Sequence, residues 1–576
     1  MNTQILRRPP PENIDALAEL PPLLRRLHGA RGSQDMGSAQ PRLAQLPSPA
    51  LMKGMPEAVA LLHSAIQRNA HIRVVGDFDC DGATGCAVLM RGLNMLGARA
   101  LSFAVPDRQR HGYGLSPALV EELAADAPEL ILTVDAGIAC VAGVAAARAH
   151  GMQVIVCDHH LPGPELPAAD AIVNPNQPGC GFPSKALAGV GVAFYLLLAL
   201  RAHLRQQGDA AGDADLSTLL DLVAIGTVAD VVPLDTTNRA LVAAGLRRIR
   251  QGRAQPGVQA LIDAAKRQYA TLTPADIGFA IGPRINAAGR LEDMTLGIAC
   301  LLSHDRREAG QLAQMLSDIN QERRQLQAQM LHDAESLLAG TDLGQLGARL
   351  AISLYQPHWH PGVVGLVASN VKEKLHRPVI AFAPAAEGSE ELRGSARSIS
   401  GFHIRDALAW VDAHHPGLIS RFGGHAMAAG LSLAQENLQD FAQAFEAAAQ
   451  ALLPPESLQK HILSDGELAA EDFNIATAIL LRDGGVWGQH YPEPLFDGEF
   501  EVLEWRIVGE KHLKLTLASG SQRLNAIHFG GWDGTAPASR QHIAYRLTPD
   551  DWRGGDAIQL VVVHRQTRTY SPPSWD

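Results

Sequence analysis

Three acidic residues spaced two apart, Asp77, Asp79 and Asp81, stand in the segment VVGDFDCDGATG, just after a β-branched run. Carboxylates placed so closely in one loop repel one another unless cations lie between them. ILTVDAG puts Asp135 at the end of a second apolar run, VIVCDHH puts Asp158, His159 and His160 at the end of a third, and DLVAIGTVADVVPL supplies Asp230 after a fourth. Aspartate oxygens with one or two imidazoles suit Mn2+ or Mg2+, and the lack of thiolate spacing disfavours structural zinc. Two such ions about 3.5 to 4 Å apart can activate water and stabilise the leaving oxygen of a phosphoester. Phosphoryl hydrolysis is therefore the chemistry this set points to. A lone DxD after a strand is usually a turn with capping carboxylates, and a lone DHH triplet is no stronger. Four acidic elements at successive strand ends, the run before Asp230 read as a strand with the others, have little structural rationale, because each adds repulsion at one edge.

To converge, these clusters need a common scaffold. Ile72–Val75, Ala100–Val105, Leu130–Val134 and Val154–Cys157 read as buried strands alternating with Ala/Leu-rich helical stretches, the pattern of a parallel sheet with helices on both faces. Ligands of such sheets bind outside the carboxyl ends of the strands, where each cluster falls; Asp230 is expected at the same edge. Leu312, Met315, Leu316, Ile319, Leu326 and Met330 recur at helical spacing in a stretch without Gly or Pro from Gln311 to Ala339, which predicts one long amphipathic helix joining two domains. Arg349–Tyr355 and Pro378–Phe382 begin a second, smaller α/β unit. Beyond Phe496, short alternating strands (Phe500–Val508, His512–Leu517, Leu524–Phe529, Ile558–Val563) predict a small β-barrel. The expected domains are an extended or partly ordered arm at 1–45, a catalytic α/β domain at 46–303, the helix at 304–340, the second α/β domain at 341–455, and the barrel with its connecting segment at 456–576.

A chain of 576 residues with 46% hydrophobic and 19% charged side chains is long enough for three or four ordinary globular domains. No stretch reaches the roughly 18 apolar residues of a spanning helix, and Met1–Pro10 lacks the apolar core of a secretory signal; a cytoplasmic location without membrane contact is expected. The six cysteines form no CxxC pair, against zinc clusters and disulfide frameworks alike. A net charge of -11 repels nucleic acid at long range, so binding to it has to come from local basic patches and metal ions.

Such patches exist. Arg108 and Arg110 precede a Gly-Tyr-Gly turn in PDRQRHGYGLS, and Arg284 and Arg290 flank a small-residue stretch, read as a loop, in GPRINAAGRL; both pairs suit phosphate contacts. LRGSARSISGFHI carries Ser395, Arg397 and Ser398, and RFGGHAMAAG carries Gly423, Gly424 and His425. Glycine lets backbone amides approach an anion, and a helix expected to start directly afterwards adds its dipole. His425 and the His360 of WHPGVVG suit structural roles equally well.

The ordered set of DxDxDG (Asp77 to Gly82), Asp135, DHH (Asp158 to His160) and GTVADVVPL (Gly226 to Leu234) resembles the DHH phosphoesterases, and within them the RecJ family of 5′-to-3′ single-strand-specific DNA exonucleases. The resemblance runs from about residue 45 to 570. It implies Asp79, Asp81, Asp135, His159 and Asp230 as metal ligands, with Asp77, Asp158 and His160 supporting the metals, the water or the scissile phosphate. It also implies Arg108, Arg290, Ser395 and Arg397 as a pocket for the 5′-terminal phosphate, and a DHHA1 domain that includes WHPGVVG. GVWGQHYPEPLFDGEF, KHLKLTL and YRLTPDDWRGGDAIQLVVV resemble the family's OB-fold block. Such folds bind single strands with a basic groove and stacked aromatics; Lys511, His512 and Lys514 supply the cations, and Tyr545 and Trp552 are open between stacking and burial. Ala136 departs from the Asn or Cys of many relatives. The implied activity is release of 5′-mononucleotides from single-stranded DNA in repair and recombination, by a monomer that works beside single-strand DNA-binding protein and a RecQ-type helicase. The alternatives are a DHH phosphodiesterase acting on short oligonucleotides or cyclic dinucleotides, an inorganic pyrophosphatase, and a catalytically silent DNA- or protein-binding scaffold.

Overall fold

The computed structural model describes residues 3–11, 14–108, 110–339, 349–550 and 553–566. They divide into two compact units, one made of Arg7–Ser317 with Leu463–Asp576, the other mainly of Asp318–Ile462. No described helix is long and apolar enough to cross a membrane.

In the first unit, β1 (Ile72–Val75), β2 (Leu101–Ala104), β3 (Leu130–Val134), β4 (Gln153–Cys157) and β5 (Ala171–Val173) form a sheet of order β2-β1-β3-β4-β5, parallel throughout. β1 and β3 are buried along their whole length, Arg73 and Thr133 included, as strands covered on both faces are, which is why their sequences lack polar alternation. Helices Cys80–Met95 and Gly189–Gln206 pack on the sheet and on each other.

Three local expectations change. The run before Asp230 is a helix, Leu220–Ala229, and not a strand. It is enclosed on all sides, so it lacks the polar face that would have revealed a helical period. GPRINAAGRL is likewise a helix, Gly282–Leu291, with Pro283 in its first turn, where a missing N–H costs nothing. Residues 14–39, read as part of an extended or partly ordered arm, are well ordered and contain the short helices Pro22–Gly29 and Met36–Ala39. Leu17, Leu20, Leu24 and Leu27 bury there in one cluster with barrel residues such as Phe496 and Leu515.

The barrel is closed, with β11 (Phe496–Val508), β12 (His512–Ser519), β13 (Gln522–His528), β14 (Arg540–Pro549) and β15 (Ile558–Gln566) in the order β11-β12-β13-β15-β14. The β13–β15 pair is parallel, and the core alternates along β12 (Leu513, Leu515 and Leu517 inward). The segment leading into the barrel is stitched to the catalytic core. Leu234 N–H donates to the Gln489 carbonyl at 2.8 Å, Arg239 lies over the Tyr491 ring at 3.8 Å, and His28 Nδ1 meets the Tyr491 hydroxyl at 2.5 Å. The loop that follows Asp230 is thereby pinned from the barrel side.

In the second unit, β6 (Ile352–Tyr355), β7 (Val379–Pro384), β8 (Glu391–Arg397), β9 (Arg421–Gly424) and β10 (Ala428–Ala434) form a sheet of order β9-β10-β8-β7-β6, in which only β6 and β7 run parallel. RFGGHAMAAG is thus a β-hairpin rather than a turn into a helix. Its small residues pair across the strands (Gly423 with Gly430, Gly424 with Ala429). The long helix expected between domains runs from Arg306 to Ala339.

Candidate metal centre and strand-binding surfaces

β1, β3 and β4 end at one edge of the sheet and deliver their acidic loops together. Asp79 caps the helix Cys80–Met95, accepting from the N–H groups of Asp81 (2.9 Å) and Gly82 (3.0 Å), a favourable use of a helix N-terminus. Asp81, fully buried, accepts from the N–H groups of Gly189 (2.6 Å) and Val190 (2.9 Å) at the start of the next helix. Asp135 follows β3 in the left-handed region (φ 61), a strained conformation for a residue other than glycine. A Cβ on Gly189 would come within 2.6 Å of the Asp135 Cβ, so only glycine lets helix and loop approach so closely.

His159 Nε2 lies 3.1 Å from Asp135 Oδ1, 3.6 Å from Asp230 Oδ2 and 4.0 Å from Asp81 Oδ2. Three sets of potential ligand atoms each fall within 4.8 Å: Asp135, Asp158, His159 and His160; Asp81, His159 and Asp230; and Asp77, Asp79 and Asp135. Asp77 Oδ1, Asp135 Oδ1, His159 Nε2 and Asp230 Oδ2 are buried without a hydrogen-bond partner. Orphaned buried polar atoms are costly and rare; here they point at one another, as a cation would require.

The electrostatics agree. Burial, and then repulsion from Asp79, push the Asp81 carboxyl up to about 7. Burial and neighbouring carboxylates hold Asp77, Asp135 and Asp230 well above the ordinary range. Burial and the charge of His160 lower His159 to about 4, which leaves its imidazole neutral, the form that binds metals. Asp158 behaves differently. Burial raises it, but the hydrogen bond and charge of His160 outweigh burial, and the carboxyl falls below its ordinary value. Asp158 Oδ1 accepts from His160 Nδ1 (2.8 Å) and His159 N–H (2.7 Å), and Oδ2 from Ile138 N–H (2.9 Å). Although burial opposes it, the same pairing raises His160 to about 9.

Several supporting residues carry no signal of their own in the sequence. The Tyr113 hydroxyl donates to the Asp135 carbonyl (2.9 Å) and lies 3.1 Å from His160 Nδ1. Asn174 and Asn176 donate to the carbonyls of His160 (2.9 Å) and His159 (2.6 Å); the repeat in VNPNQPG was the available clue. Asn286 Oδ1 accepts from Cys80 N–H at 2.7 Å and ties the Gly282–Leu291 helix to the acidic loop.

Among the expected phosphate-binding residues, Arg108 lies over the Phe78 ring at 4.0 Å. A Cβ on Gly289 would meet the Phe78 carbonyl at 1.8 Å, so Arg290, one residue on, is carried beside the same loop. Arg284 points elsewhere, donating to Ser317 Oγ (2.8 Å) and to the carbonyls of Ala280 (2.5 Å) and Ala264 (3.2 Å). Arg110 pairs with Glu122 at 2.6 Å on the surface. In the second unit, Arg397 Nη1 donates to Ser395 Oγ at 3.0 Å, and a Cβ on Gly365 would meet both side chains at 2.8 Å. Burial lowers Arg397 from its ordinary value. Ser398 is buried and donates to the Phe402 carbonyl. His425 is exposed at the hairpin turn, and His360 Nδ1 accepts from Gly362 N–H at 3.1 Å.

On the barrel, Lys514 faces Arg506 across the β11–β12 ladder, and the Lys511 carbonyl accepts from Trp532 N–H at 3.1 Å. Trp505 and Trp532 stack at 5.7 Å, and Trp505 is 42% exposed. Tyr545 is buried against Phe473 and Phe500; Trp552 lies outside the described residues.

A parallel sheet with a DxDxD–Asp–DHH edge, a second α/β unit and a five-stranded barrel define a DHH/DHHA1-type protein. Models of the DHH family N-terminal domain, the DHHA1 domain and the RecJ OB domain match residues 71–227, 347–451 and 464–564. The single-stranded-DNA-specific exonuclease RecJ of Dickeya dadantii is 47% identical, over 98% of this chain and 99% of its own length. RecJ of Escherichia coli is 46% identical, over 97% and 98%. The crystal structure of Thermus thermophilus RecJ in complex with Mn2+ superposes with a TM-score of 0.80 at 31% identity, covering 98% of this chain and 80% of that one; its Mg2+ complex gives 0.75 at 30% identity, covering 98% and 78%. The chain belongs to the RecJ family.

Proposed function

We propose that this protein is a metal-dependent 5′-to-3′ exonuclease that degrades single-stranded DNA to 5′-mononucleotides in repair and recombination. The observation that carries this reading is the convergence of Asp77, Asp79, Asp81, Asp135, His159 and Asp230, with four buried ligand atoms that no protein group satisfies. Substrate class follows from the RecJ relatives, which match along the whole chain.

Asp79, Asp81, Asp135, His159 and Asp230 would hold Mn2+ or Mg2+, two ions in all, and the donor set of carboxylate oxygens with one neutral imidazole fits either. When bound, the ions supply Lewis acidity toward the phosphoester and its attacking water. Asp158 orients both histidines, accepting from the His159 and His160 N–H groups and from His160 Nδ1, and keeps a proton on His160 Nδ1, so that His160 presents a cation toward the scissile phosphate. Tyr113 steadies the Asp135 turn and His160 together. Asp77 stands behind Asp79 to complete the acidic cradle.

Arg108 and Arg290, brought to the Phe78 loop, hold phosphates of the strand in the catalytic unit; Ser395 and Arg397, with Gly365, offer an anion seat in the second unit, and His425 an exposed contact there. Arg284 supports the helix Gly282–Leu291 rather than DNA. Lys511 lies beside the Trp505–Trp532 stack, which serves as a stacking platform where Tyr545 is buried, and Lys514 adds a cation beside Arg506 on the other face of the hairpin. A cytoplasmic monomer, working with single-strand DNA-binding protein and a RecQ-type helicase, completes the reading.

The test is Mn2+-dependent digestion of 5′-labelled single strands, duplexes and dinucleotides by the wild type and Asp135→Ala. Early release of labelled mononucleotide from single strands, lost in the variant, is expected. Equal activity of the variant would refute the metal centre, and preference for dinucleotides would refute the substrate class.

A further inference from the structure

Phe279 is 79% exposed, the largest exposure among the large apolar side chains described. It sits in a π-helical turn, Ile277–Ile281, that interrupts the path into the helix Gly282–Leu291. Such turns are rare and recur at functional sites. Burying Phe279 within the fold would have been the cheaper arrangement, since a phenyl ring left in water forfeits the gain of burial.

Its location narrows the use. The π-turn packs on the helix Leu220–Ala229, and a Cβ on Gly282 would meet the Ala229 Cβ at 3.0 Å, so Phe279 lies beside the helix end that carries Asp230. Val231, the next residue after that ligand, is 62% exposed with φ 63. That conformation is a true outlier for a β-branched side chain, and such strain persists where the surroundings enforce it, characteristically at ligand sites. On its other side the turn follows Thr273 and Asp276, which line a cavity of about 450 Å³ reaching to Arg546 and Thr548 of β14. Lys266, Arg267, Arg482 and Arg546 line that cavity against two carboxylates, Asp276 and Glu493. Three of the cations pair with acids, Arg267 with Asp276 at 3.3 Å, Arg546 with Glu493 at 2.9 Å and Arg482 with the adjacent Asp483 at 2.7 Å, and Lys266 adds one further positive charge to the lining.

An exposed aromatic ring between a metal centre and a basic cavity is the combination that single strands are held by, a π-face for a base and cations for the backbone. We propose that Phe279 is a stacking platform for a base of the single strand engaged at the metal centre, and that the strand continues from it into the basic cavity between the catalytic domain and the barrel. This rests on the nuclease reading above. It assigns Phe279 a substrate-binding role that positions the strand, with no part in bond breaking.

The test places one abasic residue at successive positions of a 5′-labelled single strand and measures KM and kcat with wild type, Phe279→Ala and Phe279→Trp. With the wild type, an abasic residue at one position, or two adjacent ones, should raise KM about 5- to 150-fold. Phe279→Ala should raise KM on the intact strand by a similar factor, more than it lowers kcat, and should erase the penalty at that position; Phe279→Trp should restore both. The largely exposed ring predicts a nearly unchanged melting temperature. An unaltered KM for Phe279→Ala, or an abasic penalty that survives it, overturns the proposal while leaving the nuclease assignment intact. Failure of the wild type to degrade single strands at all would overturn both.

Discussion

At the sheet edge, six carboxylates and two imidazoles are drawn into the interior, Asp81 and Asp158 without any exposed surface. On the outer part of β11 the reverse holds: Leu503, Trp505, Ile507 and Val508 are turned to solvent beside Arg506, Lys511 and Lys514. Among the described residues, β11 beyond Val502 pairs only with β12, so the hairpin projects from the closed barrel. Polar groups buried and apolar groups exposed each invert the ordinary partition. Burial of the metal centre keeps bulk water away from all but the reacting position, so charge interactions there stay strong. On the proposed function, the barrel surface stays open because a strand that moves between cuts is held by shallow, repeated contacts.

The comparison breaks most visibly at the buried end. Removing one ligand carboxylate or the imidazole (Asp81→Ala, Asp135→Ala or His159→Ala) should cost several kcal/mol of transition-state stabilisation, hence about 10³-fold or more in kcat at 1.36 kcal/mol per decade. Rates on labelled single strands in Mn2+ check this. If the loss were small, the buried cluster would be architecture rather than a reaction centre.

A second effect concerns pH in metal-free protein. Asp81 titrates near 7 in the fold against 3.8 for the ordinary carboxyl. A pKa raised by folding means that the stability belonging to the protonated form is fully present below about 3.8 and is lost as pH rises through about 7. The metal-free protein should lose several kcal/mol over that window, and Mn2+ or Mg2+, which favours the ionised carboxylates, should raise the melting temperature more at pH 8 than at pH 5. Scanning calorimetry with and without chelator separates the two. An ion effect independent of pH would contradict the carboxylate ligand set.

The exposed end should respond more gently. Trp505→Ala is expected to weaken binding of long single strands by about 1–3 kcal/mol while sparing hydrolysis of substrates too short to reach the barrel; anisotropy titration alongside dinucleotide assays distinguishes these. The smallest change is expected from Lys511→Ala and Lys514→Ala. Each should reduce the slope of log affinity against log salt by about 0.7 if it neutralises one phosphate of a single strand. Slopes unchanged in both would remove the barrel from the strand's path.

Much of the centre was legible because its residues follow runs that read as buried strands: Asp77, Asp135, Asp158, His159 and His160 stand just after β1, β3 and β4, and Asp79 and Asp81 at the start of the helix that β1 leads into. Asp230 was found by its motif, though its carrier was misread. A helix enclosed on every side shows no periodicity, so LDLVAIGTVA reads equally well as a strand. Arg284 illustrates the opposite limit. An arginine between a proline and small residues suggests a phosphate contact, yet in the fold its donors go to Ser317 and two backbone carbonyls.

By itself, the sequence determined the reacting groups and the sheet that carries them, since side-chain chemistry and the apolar pattern are local properties of the chain. Tertiary structure alone decided that the barrel and the N-terminal helices join the catalytic sheet in one compact unit although 145 residues from Asp318 to Ile462 intervene. It alone decided that Gln489 pins the loop behind Asp230, and that Phe279 is left in solvent beside it. Contacts between segments hundreds of residues apart leave no mark on either segment's own periodicity; they follow from which surfaces remain to be buried once each element has formed.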